Sequence, residues 1–128
     1  VKIGAQAELF AARFLQTRGL KLVVPNYRCR FGEIDLILHD GNTVVFAEVR
    51  LRNSLNFGGA AASIDLRKQR KLICTAQHYL ARLTHIPPCR FDALLIKKSI
   101  SAGSFATNSP LIEFVDSDIE WIKNAFSA

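Results

Sequence analysis

Cysteine is scarce and scattered in this 128-residue chain: Cys29, Cys74 and Cys89 are odd in number and far apart. None belongs to a C-x-x-C pair or lies close to a histidine, so a zinc site or a disulfide framework is not expected. Three reduced, mostly buried thiols fit a cytosolic protein. Also missing is any run of about 18 apolar residues of the kind that spans a bilayer. The opening VKIGAQAELF lacks a secretory apolar core followed by a small-residue cleavage site. A cytoplasmic protein without a membrane partner is the expectation. Acidic residues are the minority charge, 11 against 17 Lys and Arg, for a net charge of +6 and a pI near 9.6.

The charge is uneven. Residues 1–98 carry sixteen basic and seven acidic groups, and 99–128 carry one and four. A polyanion would bind the first part, because affinity for nucleic acid comes largely from counterions released by Lys and Arg. At 49% hydrophobic, a chain of this length folds most simply as one domain over 1–128, removing roughly two-thirds of its unfolded surface from water. No linker or internal repeat divides it.

Ile3, Ala7, Phe10, Ala11 and Phe14 recur at helical spacing, so a helix is expected over 2–18, stopped by Gly19. A short strand, 20–24, ends at Pro25-Asn26, and a hairpin over 32–52 turns at Asp40-Gly41-Asn42. A glycine-containing loop, 53–62, leads to a second helix from a Ser63 cap, with Asp65 in its first turn, to about Leu83. Its inner face is Leu72, Ala76, Tyr79, Leu80 and Leu83, and Arg67, Lys68, Arg70 and Lys71 crowd its first half. A strand over 90–97 follows Pro87-Pro88. SAGSFATNSP reads as a loop, LIEFV as a short strand, and DIEWIKNAF as a final helix capped by Asp116 or Ser117. This order implies an α/β fold: a three-layer arrangement with a mixed sheet flanked by helices.

The hairpin carries carboxylates where a buried strand would be apolar. Alternation puts Glu33 and Asp35 on one face, opposite Ile34, Leu36 and Leu38, and sets Glu48 and Arg50 opposite Ala47, Val49 and Leu51. A two-residue turn at Gly41-Asn42 would place Asp35 across from Glu48 and Glu33 across from Arg50. A turn at Asp40-Gly41 would slide the pairing by two yet keep the faces matched, and a three-residue turn would separate them. Converging carboxylates need a proton, a cation or a basic side chain to relieve their repulsion. Cross-strand ion pairs with Arg50, Arg30 or Arg52 would serve on a solvated face. A divalent cation such as Mg²⁺ is the other answer, held by carboxylates with positions left for phosphate oxygens. Glu8 lies at the edge of the first helix's apolar side, and Lys68 opens the second helix where a phosphate backbone could sit.

Gly4-x-x-x-Glu8, Asn26-Tyr27-Arg28, Gly32-Glu33-Ile34-Asp35-Leu36-Ile37, Val45-Phe46-Ala47-Glu48-Val49-Arg50, Phe57-Gly58, Lys68, Arg90-Phe91-Asp92 and Asn124-Ala125-Phe126 together resemble the bacterial YraN-like family of uncharacterised proteins, over essentially the whole chain. That family in turn is similar to the restriction-endonuclease-like, PD-(D/E)xK, fold that includes archaeal Holliday-junction resolvases. The resemblance implies Glu8 as a helical acid, Asp35 and Glu48 as ligands of Mg²⁺ or Mn²⁺ with the Val49 carbonyl, and residue 50 as the catalytic cation. Two letters depart from the pattern. Ile34 replaces the motif's proline, and Arg50 stands where lysine is usual. Arginine stays charged and can only orient water or stabilise negative charge, which makes Lys68 the nearest compensating lysine.

The function expected is a metal-dependent nuclease acting on branched or single-stranded DNA. The alternative is a non-catalytic nucleic-acid-binding module that retains the nuclease fold. A protein-interaction subunit using a sheet edge is the third class. By analogy with the resolvases the chain is a possible homodimer. His39, His78 and His85 stand outside the pattern; Tyr27 and Phe57 are candidates for base stacking, weighed against core packing and loop anchoring.

Overall fold

The computed structural model describes residues 3–52, 64–97, 99–100, 112–113 and 118–128. The first apolar stripe forms α1 (Ile3–Thr17). It stops as a glycine-terminated helix should: Gly19 takes φ 93, its N–H donates to the Gln16 carbonyl, and the Leu20 N–H donates to that of Leu15. Ala7, Ala11 and Ala12 are buried where this helix packs on the sheet.

The sheet is built from β1 (Lys21–Cys29), β2 (Gly32–Asp40), β3 (Thr43–Arg52), β4 (Cys89–Lys97) and β7 (Ile119–Phe126), in the order β1-β2-β3-β4-β7. Neighbours are antiparallel except β3 and β4, the parallel pair whose connection carries α2 (Leu66–Leu80). Two short strands, β5 (Ser99–Ile100) and β6 (Ile112–Glu113), pair separately. Central β3 is buried on both faces, which explains its near-continuous apolar run. Val45 and Ala47 join α1 in one core, with Leu36, Leu38, Leu94 and Ile96. Val44 and Phe46 join Leu72, Ala76 and Tyr79 of α2 in the other. The mixed α/β sheet with a helix on each face is therefore as expected.

Three expected elements differ. The last helix is a strand: Ile119–Phe126 pairs with β4, where an open edge offers a full ladder. A bulge at Asn124, φ 53, interrupts its alternation, so Ile119 and Trp121 pack on the α1 side and Ile122, Ala125 and Phe126 on the other. That irregular spacing imitates a helical period. β1 also runs on past Pro25-Asn26 to Cys29. It is an edge strand, where a missing N–H costs no bond on the open side. The second helix is capped by Asp65, whose carboxylate accepts the Lys68 N–H at 2.8 Å, and it ends at Leu80, short of Leu83. Ser63, the 53–62 loop with Phe57, the 101–110 loop, and Asp116 and Ser117 lie outside the described residues, as does LIEFV except for Ile112–Glu113.

The β2–β3 turn is the two-residue Gly41-Asn42 form, with Asp40 paired to Thr43. Its pairing runs back to Leu36 with Ala47, and at the next residue the regular pleat breaks. Ile34 packs on the α2 side whereas Leu36 and Leu38 pack on the α1 side, which corrects the expectation that all three share a face. The cause lies on β1. Asn26 adopts φ 52 between Pro25, the partner of Leu36, and Tyr27, the partner of Ile34. Asn tolerates this left-handed conformation at little cost. The β1–β2 ribbon therefore coils at the level of Asp35.

Candidate metal and phosphate site

Where the pleat breaks, the Asp35 side chain takes over from the backbone. Its Oδ2 accepts the Val49 N–H at 2.8 Å, one step beyond the last regular β2–β3 pair. The carboxylate is thus wedged between two strands, reachable from both layers. From the α1 side Glu8 hydrogen-bonds to it, and from the α2 side so does Glu48. Glu33 completes the group: oxygens of Glu8, Glu33 and Asp35 lie within 4.8 Å of one another.

Positive charge is present but unevenly spread. Lys68 Nζ lies 3.3 Å from Glu48 Oε2, and Arg50 Nη1 lies 3.9 Å from the same oxygen. Arg28 Nε meets Glu33 at 2.8 Å, from a side chain 75% exposed. The repulsion that remains shows in the proton affinities. Glu48, 7% exposed, is pushed up to about 8, by desolvation first and then by the Asp35 charge, against the pull of Lys68. Glu8 is raised to about 7 by desolvation, then by Asp35 and Glu33, and an Asn26 hydrogen bond opposes the rise. At neutral pH the metal-free cluster holds protons that a cation would displace.

An open cleft of about 320 Å³ adjoins the cluster, lined by Gly4, Ala5, Glu8, Asn26, Arg28 and Glu33. Glu8 and Asn26 also border an apolar cleft of about 270 Å³, formed with Leu9, Leu22, Pro25 and Leu36. Asp65, Arg67, Lys68 and Lys71 line a third concavity at the start of α2.

Glu8, Asp35, Glu48, Arg50 and Lys68 are all brought to one place, from α1, β2, β3 and α2. Val49 is there too, with its N–H engaged by Asp35. Glu33 had been expected to face Arg50; it instead joins Glu8 and Asp35 and pairs with Arg28. Asn26 was read as the end of a strand, although asparagine beside proline is itself a signal for a left-handed residue. Tyr27 is 8% exposed, and its hydroxyl meets His78 Nδ1 at 2.6 Å, so it packs in place. His39 and His85 are exposed and take no part in the cluster. An all-oxygen, carboxylate-rich donor set with unrelieved repulsion fits a hard divalent cation such as Mg²⁺ or Mn²⁺.

The fold and this cluster define an α/β protein in which α1 and the β2–β3 hairpin deliver acids, and α2 a lysine, to one break in the sheet. The chain belongs to the Uncharacterised protein family UPF0102, whose profile matches residues 7–96, the span holding every residue of the cluster. It is 48% identical over 127 residues to a UPF0102 protein of Methylobacillus flagellatus, covering 99% of this chain and 98% of the relative. A UPF0102 protein of Nitrosomonas europaea is 52% identical over 123 residues, 96% and 92% of the two chains. One from Pseudomonas syringae pv. tomato is 44% identical, over 98% and 92%. Among the described residues no helix is long and apolar enough to cross a membrane.

Proposed function

We propose that this protein is a metal-dependent nuclease acting on DNA, with a restriction-endonuclease-like core and the break at Asp35 as its catalytic centre. One observation carries the reading: Glu8, Asp35 and Glu48 meet from three elements beside Lys68 and Arg50, in an otherwise basic segment. Asp35, fixed by the Val49 N–H, would hold the metal together with Glu48 and the Val49 carbonyl, with Glu8 and Glu33 beside it. Mg²⁺ or Mn²⁺, when bound, would polarise the scissile phosphate and acidify a water molecule.

The chain's own residues do the rest. Glu8 lies against Asp35 on the α1 side, where its carboxylate can hold an attacking water and take up its proton. Arg50 and Lys68 offset charge growing on the phosphate, and Lys68 supplies the amine that residue 50 lacks. The basic start of α2 holds the flanking backbone. Titrating Mn²⁺ into wild-type and Asp35→Ala protein tests this. Binding heat and metal-dependent cutting of flapped or single-stranded DNA should both disappear in the variant, a loss of at least a hundredfold in rate. Equal cutting by the variant, or no heat in either protein, would remove the proposal.

The second reading is a binding module without catalysis, favoured by Arg50 and by Lys68 being engaged with Glu48. Binding would then fall steeply with salt but ignore a chelator and Glu48→Ala.

A further inference from the structure

The β1–β2 turn is only two residues long, Arg30 and Phe31, between the paired Cys29 and Gly32. Turns this tight favour Gly, Asn and Asp, whose backbones suit them and whose side chains tolerate water. A phenylalanine left 39% exposed there keeps part of its ring open to solvent. Yet its position is firmly set. Gly32 takes φ 151 and lies so close to α2 that an added Cβ would meet Thr75 Oγ1 at 3.3 Å and Lys71 Cβ at 3.8 Å. The Phe31 ring stands edge-on to His78, centroids 6.3 Å apart, and that imidazole is itself held by the Tyr27 hydroxyl. The Arg30 guanidinium sits over the Phe31 ring, 4.9 Å from its centroid.

We infer that Arg30 and Phe31 form a stacking platform for an unpaired base of the DNA strand. Rigid aromatic rings and guanidinium planes stack on any base, so such a surface prefers single strands without preferring a sequence. Charge selects the same occupant. Lys68, Lys71 and the Gly32 contact lie along α2 between the acids and His78, a span of about 15 Å at 1.5 Å per residue. A strand whose phosphate lies at Asp35 can follow those lysines and place a base a few nucleotides away on Phe31. Bases in a duplex are already stacked and reach the platform only by being pulled out. The inference rests on the nuclease reading for its direction along the strand and gives that reading a substrate class: DNA with an unpaired segment.

The test is binding in EDTA, so that cutting plays no part. Fluorescence anisotropy would compare wild type, Phe31→Ala and Phe31→Trp on a labelled oligothymidine and on a blunt duplex of equal length. Phe31→Ala should weaken binding to the single strand about tenfold and to the duplex less than twofold, while Phe31→Trp keeps wild-type affinity. Melting temperatures of all three should agree within a few degrees, since the side chain lies on a surface turn. Equal loss on both DNAs, or no loss on either, overturns the platform; so does tighter binding of a polyglutamate peptide than of the oligonucleotide. Loss of metal-dependent cutting with the stacking preference intact would sink the nuclease reading alone.

Discussion

Two carboxylates sit buried on the parallel pair at the centre of the sheet, Glu48 on β3 and Asp92 on β4, and they are treated in opposite ways. Asp92 has no exposed surface and every lone pair is claimed: Arg90 Nε reaches both oxygens at 3.0 and 3.1 Å, Trp121 Nε1 donates at 3.0 Å and the Asn124 N–H at 3.1 Å. Arg90 is held in turn by Asp40, at 2.9 Å. Glu48 faces Asp35 and must share a proton with it, with Lys68 as its near cation. A structural acid is saturated with donors. A functional acid is left hungry, because capacity kept free in the folded protein is what a ligand uses.

Substitution at Asp92 should break the comparison most violently. Asp92→Ala strands Arg90 beside an emptied site and removes the tie between β4 and β7, a loss of about 3–5 kcal/mol measured by urea unfolding. Mn²⁺ binding by the fraction that folds should be unchanged.

Glu48→Gln should act in the other direction and through pH. The unfolded carboxyl titrates near 4.5 and the folded one near 8, so the folded state binds the extra proton. That contribution is fully present below about 4.5 and is lost as pH rises through about 8. Metal-free wild type should therefore melt at progressively lower temperature across this window, and Glu48→Gln should flatten the decline. A steeper decline in the variant would reverse the assignment. Saturating Mn²⁺ should flatten it in wild type, with proton release on binding visible as a dependence of the heat on buffer.

The smallest effect belongs to Arg28→Ala. Its pair with Glu33 is short but the guanidinium is largely in water, so stability should change by less than about 0.5 kcal/mol in thermal melts. A larger change would mean that Arg28 restrains the acids as Arg90 restrains Asp92.

Much of this was legible in one dimension. The 32–52 hairpin and the two amphipathic helices follow from local rules, and Gly41-Asn42, one of the turns those rules allowed, brings Asp35 and Glu48 level. What escaped was decided by distant partners. Ile119–Phe126 carries a pattern that suits a helix, and only the free edge of β4, with Asp92 waiting for Trp121, makes it a strand. The coil at Asn26 was hidden for the same reason: proline and asparagine end most strands, and the continuation depends on pairing with β2. Phe31 falls between the strand expected at 20–24 and the hairpin expected from 32, and only the continuation of β1 to Cys29 sets it in a two-residue turn.

A β-sheet normally insulates the layers on its two sides, since its ladder leaves no passage for a polar contact. The left-handed residue at position 26 opens a window in that partition. Through it a single small ion would tie Glu8, on the helix in front, to Glu48, on the rear face of β3, so loading the site should slow amide exchange in α1 and β3 together. Anything that straightens the ribbon at Asn26 would shut the window and part Glu8 from Glu48, with each acid still in the chain.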